Sequence, residues 1–547
     1  MHKSECVFRA GRRGGLSLLK MRTTPKNFLR SAALIGLSAI ACASVAQEND
    51  AARTYAGSIT ADDLKKHLYV LASDEYEGRE TGQKGQKMSA QYISDRFREY
   101  GIPPLSTGGY YQPLPLLEKQ SGAGTISSNK TTFRFSADFF YISGIDDIRL
   151  ESSSVVFAGY GFGEPGFDEY AGLDVKGKVV MILQGEPFDK KGKSLITGKT
   201  EPSDKADRRN KVNLAREKGA AAVLIVLNDY SAQLQAMKHA IESPTLRLDM
   251  KRRDEPQAPF FFISRAMADA LLANGGRTET IDMLSARIRK KKKPAGAELK
   301  QQLLIDVQRN EKSILAENVL GYVEGSDLKN ELIVVTAHYD HLGKEGDVVY
   351  NGADDDGSGT VAIMEMAEAF AKAKKEGKGP RRSMLFMAVS GEEKGLLGSR
   401  WYTENPVFPL EQTVCNLNID MIGRIDEAHK DKPDYVYVIG ADRLSTELHE
   451  INEAANKKYM QLDLDYKYNH DKDPNRFYYR SDHYNFARKG IPIIFYFNGT
   501  HKDYHKETDE VSKIDFNLME KRARLVFYTA WELANRDQRI VVDKKKP

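Results

Sequence analysis

Residues 331–359 read ELIVVTAHYDHLGKEGDVVYNGADDDGSG. An apolar run, 331–337, ends on His338-Tyr339-Asp340-His341. A short loop then leads to a Gly- and Asp-rich segment that opens the next apolar, helically spaced stretch, 358–375. This is strand, loop, helix, with polar residues massed where the strand stops. The same grammar recurs downstream. Strands are expected at 383–390, 414–420, 434–440 and 492–497, and helices at 395–404, 443–457 and 516–535. Such alternation predicts an α/β class fold, a three-layer α/β/α sandwich on a mostly parallel mixed sheet. In such sheets the chemistry sits beyond the carboxyl ends of the strands.

Upstream the texture differs. Residues 60–73 and 86–100 read as amphipathic helices; Thr60 can cap the first and Gly101 stops the second. From 130 to 290 short β-rich runs dominate: SSVVFAGYGF at 153–162, KVVMIL at 178–183, AAAVLIVL at 220–227 and PFFFIS at 259–264. Helices fit near 205–218 and 265–273. Residues 287–300, with the basic run Arg287–Lys293, read as a solvated linker. The expected organisation is a domain begun at 47–129, interrupted by an insert at 130–290, and completed at 300–547.

The first 46 residues carry eight Lys/Arg and one acid, so the formal net charge of +4 leaves the remaining chain near −3. A mildly acidic body gives no footing for nucleic-acid binding. Basic residues precede the apolar, small-residue stretch 31–46, and Ser44 and Ala46 suit a cleavage site. A signal peptide over 1–46 is therefore expected, with Met21 a plausible start, and with export to the periplasm or beyond. Lipid attachment at Cys42 is a minor alternative. Removing the leader would leave Cys415 as the sole cysteine, so no internal disulfide is expected. No other stretch has the run of about eighteen apolar residues that a membrane span needs. No motif speaks to oligomeric state.

The chemistry lies just past the end of each strand. After 331–337 come His338, Asp340 and then the run Asp354-Asp355-Asp356. After 383–390 come Glu392 and Glu393. The strand 414–420 ends on Asp420, and His505 comes after 492–497. Each piece alone is ordinary surface chemistry, but five segments in register with strand ends converge on one sheet edge. Imidazole and carboxylate donors suit zinc. Two imidazoles and three carboxylates exceed one tetrahedral ion, so two ions sharing a carboxylate fit the count. Within the Glu pair, one member can bind metal while its neighbour serves as general base. Asp340, two residues after His338, is expected to orient the imidazole.

These residues carry a resemblance. AHYDHLG at 337–343, NGADDDGSG at 351–359, SGEEKGLLGS at 390–399, NIDMIG at 418–423, SDHYNF at 481–486 and DYHKETD at 503–509 are similar, in order, to the motifs of the co-catalytic dizinc aminopeptidases. That family includes bacterial secreted leucyl aminopeptidases and glutamate carboxypeptidase-like enzymes. The resemblance covers roughly 60–110 and 316–535. It implies two Zn2+ per chain and makes Asp355 the bridge. One ion would take Asp355, Glu393 and His505; the other would take Asp355, His338 and Asp420. It makes Glu392 the general base and Asp340 the orienting carboxylate, and it implies a cis peptide after Asp355. The insert, through VFAGYGF, VKGKVVMIL and REKGAAAVLIV, resembles a protease-associated domain.

The implied activity is removal of N-terminal residues from peptides. A carboxypeptidase or dipeptidase is the alternative, with Arg476 or Arg480 receiving a terminal carboxylate. A glutaminyl cyclase or a non-catalytic, receptor-like binding protein is less favoured, because no metal-binding position is lost. Asp482, Tyr504 and Arg480 are the expected substrate contacts.

Overall fold

The apolar run 331–337 becomes the middle of a strand, Leu328–His338, whose last seven residues are all buried. It lies between parallel neighbours Arg382–Val389 and Thr413–Ile419, and the latter pairs in parallel with Ile493–Phe497. Burial on both faces explains why these strands read as unbroken apolar runs rather than as alternating ones. Tyr435–Ile439 joins beyond Ile493–Phe497, antiparallel to it.

The computed structural model describes residues 51–105, 108–129, 131–142, 147–250 and 258–545. The leader expected at 1–46, with Cys42, lies outside them. Residues 51–58 belong to a small separate unit and are helical over 51–56; Ile59 onward forms the main unit. Cys415 is buried and unpaired.

Helices cover both faces of the sheet. Gly359–Lys375 and Phe516–Asn535 pack on one face, where Phe370 meets Phe386 of the sheet at 5.8 Å and Trp531 at 5.6 Å. Leu397–Glu404 and His483–Arg488 pack on the other, where Tyr402 and Phe486 join Leu332, Val334, Leu385 and Met387. Alternate residues of each strand feed the two cores, as the period of two requires. The upstream helices occur at Ala61–Leu71 and Lys84–Glu99, and Thr60 caps the first by accepting from the Asp63 N–H.

The insert contributes a run of parallel strands to the same continuous sheet, Ile148–Phe157, Val179–Leu183, Ala222–Val226 and Phe260–Ile263 in that order. Helices Arg208–Glu217 and Arg265–Asn274 flank it.

Residues 287–300 are not a linker. Helix Ile281–Lys291 takes the first part, burying Ile288 while its basic side chains reach solvent. After a five-residue turn, Ala297–Val323 runs as one strand. Its first half pairs antiparallel with Ile148–Phe157 of the insert, and its last residues pair with Arg382–Val389 of the main sheet. Tyr111–Ser128 lies antiparallel along most of its length. A two-stranded ribbon thus joins the insert to the main sheet. Its polar-rich sequence, QQLLIDVQRNEKS, hides it, because a half-exposed ribbon needs few apolar residues.

Candidate metal centre

His338 ends its strand with its side chain 1% exposed, and three neighbours set its orientation. Its main-chain N–H donates to Asp356 Oδ2 at 3.1 Å, and its carbonyl accepts from Thr360 Oγ1 at 2.7 Å. Its Nδ1 lies 3.0 Å from the main-chain carbonyl of Asp340. A proton on Nδ1 donated to that carbonyl leaves Nε2 free to face the cleft. The Asp340 carboxylate does not do the orienting expected of it. It stands 3.9 Å from Nδ1, because its oxygens accept instead from Thr81 Oγ1 at 2.7 Å and from the Glu392 N–H at 3.2 Å. Asp340 thus ties the first strand end to the Glu392-Glu393 turn.

The three consecutive aspartates separate by what they touch. Asp356 staples main chain, accepting from His338, Gly359 and Met421 N–H groups. Asp354 accepts from the Gly423 N–H at 2.6 Å and faces His501 Nε2 at 3.2 Å. Asp355 alone turns both oxygens to the cleft histidines: Oδ1 is 3.2 Å from His338 Nε2, and Oδ2 is 3.1 Å from His505 Nε2. The Asp355–Asp356 peptide is cis. Gly352 makes the approach to this segment with φ +50°, where a Cβ would strike the His341 ring and the Asp355 carbonyl.

Glu393 lies across the cleft, with Oε2 3.2 Å from His505 Nε2 and Oε1 2.8 Å from His341 Nδ1. Asp420, one residue past its strand, places Oδ1 3.6 Å from His338 Nε2. Glu392 Oε2 is 4.0 Å from the same nitrogen. Two compact donor groups result: His338 with Glu392 and Asp420, and His341 with Asp355 and Glu393.

Charge accumulation shows in the titration of these groups. Burial alone would depress His338, but Glu392, Asp420 and Asp355 raise it well above an ordinary histidine. His505 is likewise pushed up to about 10, against burial, by Asp355 and Glu393. Burial drives Glu392 well above the carboxylate range; His338 opposes this, and Glu393, Asp420 and Asp482 reinforce it. Burial and Asp355 would raise Glu393, yet His341 and His505 hold it down at about 2.

His338 Nε2, Asp355 Oδ2 and Glu393 Oε1 are buried and face neighbouring side chains within ion-pair distance, yet none makes an aligned hydrogen bond. Buried polar atoms that crowd together without aligned hydrogen bonds are rare in folded proteins. The donors are imidazole nitrogens and carboxylate oxygens, the chemistry of a zinc cage, so the residues present fit such ions.

His341 is a donor that sequence reasoning passed over, although it stands three residues after His338 in the same motif. Asp509, the last residue of DYHKETD, was also unassigned; its Oδ2 accepts from the Asp354 and Asp355 N–H groups at 3.0 and 3.1 Å. Arg79 gave no signal at all. It is 1% exposed and donates only to main-chain carbonyls, those of Leu71, Tyr339, Asn351 and Gly352, at 2.6–2.9 Å. It pins the strand end to the Asp355 loop. Arg79→Met is expected to strand four carbonyls and lower stability by about 3 kcal/mol or more, read as a fall of several degrees in melting temperature. An unchanged melting temperature would deny the pinning role.

Of the expected substrate contacts, Tyr504 and Arg480 line the cleft with Met421, Phe477, Phe495, Phe497 and Thr500. Tyr504 stacks on His505 with ring centroids 3.9 Å apart. Asp482 does not line it. The helix His483–Arg488 packs its preceding residue inward, leaving it fully buried, and burial pushes its carboxyl up to about 7.

Known proteins with similar sequences or folds bear on this centre. Residues 318–530 match Peptidase family M28, and residues 151–271 match the PA domain. A probable leucine aminopeptidase of Arthroderma otae is 28% identical over 224 residues, 40% of this chain and 57% of that protein. Aminopeptidase YwaD of Bacillus subtilis is 26% identical over 241 residues, 42% of this chain and 48% of that protein. The chain spans about half the length of the curated relatives it matches. The solved aminopeptidase from Aneurinibacillus sp. strain AM-1 shares the fold at a TM-score of 0.50 and 18% identity, over 90% of this chain and 98% of that one.

Proposed function

We propose, from the premise that the chain carries a peptidase domain of family M28 and a PA domain, that it is a zinc-dependent exopeptidase removing N-terminal residues from peptides. The observation that carries the reading is the convergence of His338, Asp355, Glu393, Asp420 and His505 within 3.1–3.6 Å contacts around one cleft. In this reading Asp355, Glu393 and His505 would hold one zinc ion, and Asp355, His338 and Asp420 would hold a second. When bound, the ions supply Lewis acidity and positive charge opposite a developing oxyanion.

The remaining work falls to the chain itself. Glu392 reaches the cleft beside His338. As a carboxylate it can take a proton from the attacking water, and as the resulting carboxyl it can pass that proton to the leaving amine. His341 Nδ1, 2.8 Å from Glu393 Oε1, positions that carboxylate. Asp340, through the Glu392 N–H, holds the base at the strand end.

Arg480 at the cleft favours a second reading, a carboxypeptidase or dipeptidase of the same fold. The two directions separate on one pair of peptides, one with a free amine and one N-blocked. We expect zinc-loaded protein to cleave the free-amine peptide only, and cleavage of the blocked peptide from its C-terminus would replace the aminopeptidase reading with the second.

A further inference from the structure

The turn that carries Glu392 and Glu393 runs from Ser390 to Gly398, directly after the strand Arg382–Val389. The ladder between that strand and Ala297–Val323 ends at the pair Val319 and Ala388. One residue further on, the side chain of Asn318 takes over from the main chain. Its Oδ1 accepts from the Ser390 N–H at 3.2 Å, and its Nδ2 donates to the Gly398 carbonyl at 3.0 Å. A single amide thus holds both ends of the turn. Across the ribbon, Gln112 lies directly opposite and aims that amide. Its Oε1 accepts from Asn318 Nδ2 at 2.9 Å, and its Nε2 donates to the Asn405 carbonyl at 2.8 Å. Asn318 and Ser390 are fully buried. Gly398 leaves the room the amide needs, because a Cβ there would strike Asn318 Oδ1 and the Ser390 carbonyl. Asp340 holds the middle of the turn at the Glu392 N–H, and Asn485 holds its later part at the Leu396 carbonyl.

We propose that Asn318 is a positioning residue for the reaction. By fixing the two ends of the turn, it sets where Glu392 stands in the cleft and where Glu393 presents its carboxylate. The inference rests on the peptidase reading above and adds to it a residue that lies behind the cleft. An apolar side chain of similar size in place of Asn318 would leave the Ser390 N–H and the Gly398 carbonyl buried without these partners, and the turn would shift to find others. The strand that carries Asn318 pairs with Ile148–Phe157 of the insert at its other end. One continuous strand therefore runs from the insert to the turn that bears Glu392.

The test compares wild type with Asn318→Leu, Asn318→Asp and Gly398→Ala, the last of which wedges the turn while leaving Asn318 in place. Turnover is measured at saturating zinc on a free-amine peptide, zinc affinity by competition with a chelating dye, and melting temperature on the metal-free protein. Asn318→Leu and Gly398→Ala should lower kcat about tenfold to hundredfold with KM close to wild type, the effect of misplacing a catalytic group by about 1 Å. Zinc affinity should fall about tenfold or more, because Glu393 leaves the same turn. Asn318→Asp keeps an acceptor for the Ser390 N–H and should recover part of both losses. An asparagine that only stabilises the fold would show in the melting temperature alone, so wild-type kcat and zinc affinity in folded Asn318→Leu overturn the proposal. If none of the three variants folds, Gln112→Met decides, since it removes the bond that aims the Asn318 amide. It should lower kcat and zinc affinity in the same direction, and wild-type values of both overturn the proposal. If wild type itself cleaves no peptide, the peptidase reading fails instead. Zinc affinity then decides the positioning role: a loss in Asn318→Leu supports it, and no change overturns it.

Discussion

Glu392→Gln is expected to lower kcat by about 10²–10⁴-fold, the contribution of a positioned general base, while zinc content stays at the wild-type level. The separation of the two effects comes from the geometry. Glu392 and Glu393 leave the same turn in different directions: Glu393 reaches His505 and His341, whereas Glu392 reaches only the neighbourhood of His338, at 4.0 Å. Its N–H bond to Asp340 is a main-chain contact, so Gln at this position keeps the turn intact. Gln fills the same space but cannot accept and carry a proton. Zinc by atomic absorption and turnover on a free-amine peptide check it together. Full activity in the variant would remove Glu392 from the reaction; loss of zinc would make it a ligand.

Removing the metal should cost both activity and stability. Without cations, Asp355, Glu392, Glu393 and Asp420 crowd together, each with a mostly buried side chain. The raised titration of His338 and His505 shows how strongly this group attracts positive charge. Stabilisation by binding is about 4 kcal/mol per site when free metal stands near 1,000 times Kd. Chelation should therefore lower the melting temperature by several degrees and abolish turnover, and added zinc should restore both. Asp355→Ala should reproduce the chelated state irreversibly, because it removes the one carboxylate among the described residues that faces both His338 and His505. Undiminished turnover in metal-free protein would end the zinc-dependent reading.

Much of this architecture is legible in the chain because it is local. Strands buried on both faces must be apolar throughout, so 331–337, 383–390, 414–420 and 492–497 stand out and occur with ends within a few residues of expectation. Residues at the ends of parallel strands share one edge, so motifs at those ends can be assembled without knowing the loops. The ribbon at Ala297–Val323 was not legible, since its pairing partners lie far away in sequence and its exposed faces carry no apolar signature.

Within the site, the sequence by itself determined the chemical types available and their place at strand ends, because strand period and apolar patterning are short-range properties. Only the tertiary structure decided which atoms meet. It showed that Asp354 and Asp356 hold main chain while Asp355 turns to the histidines. It moved the orienting role of Asp340 from its carboxylate to its carbonyl, enclosed Asp482, and brought in His341, Asp509 and Arg79. The reason is directional. A side chain's partner depends on which distant loop packs against it, and hydrogen bonds between segments hundreds of residues apart leave no periodic trace in either one.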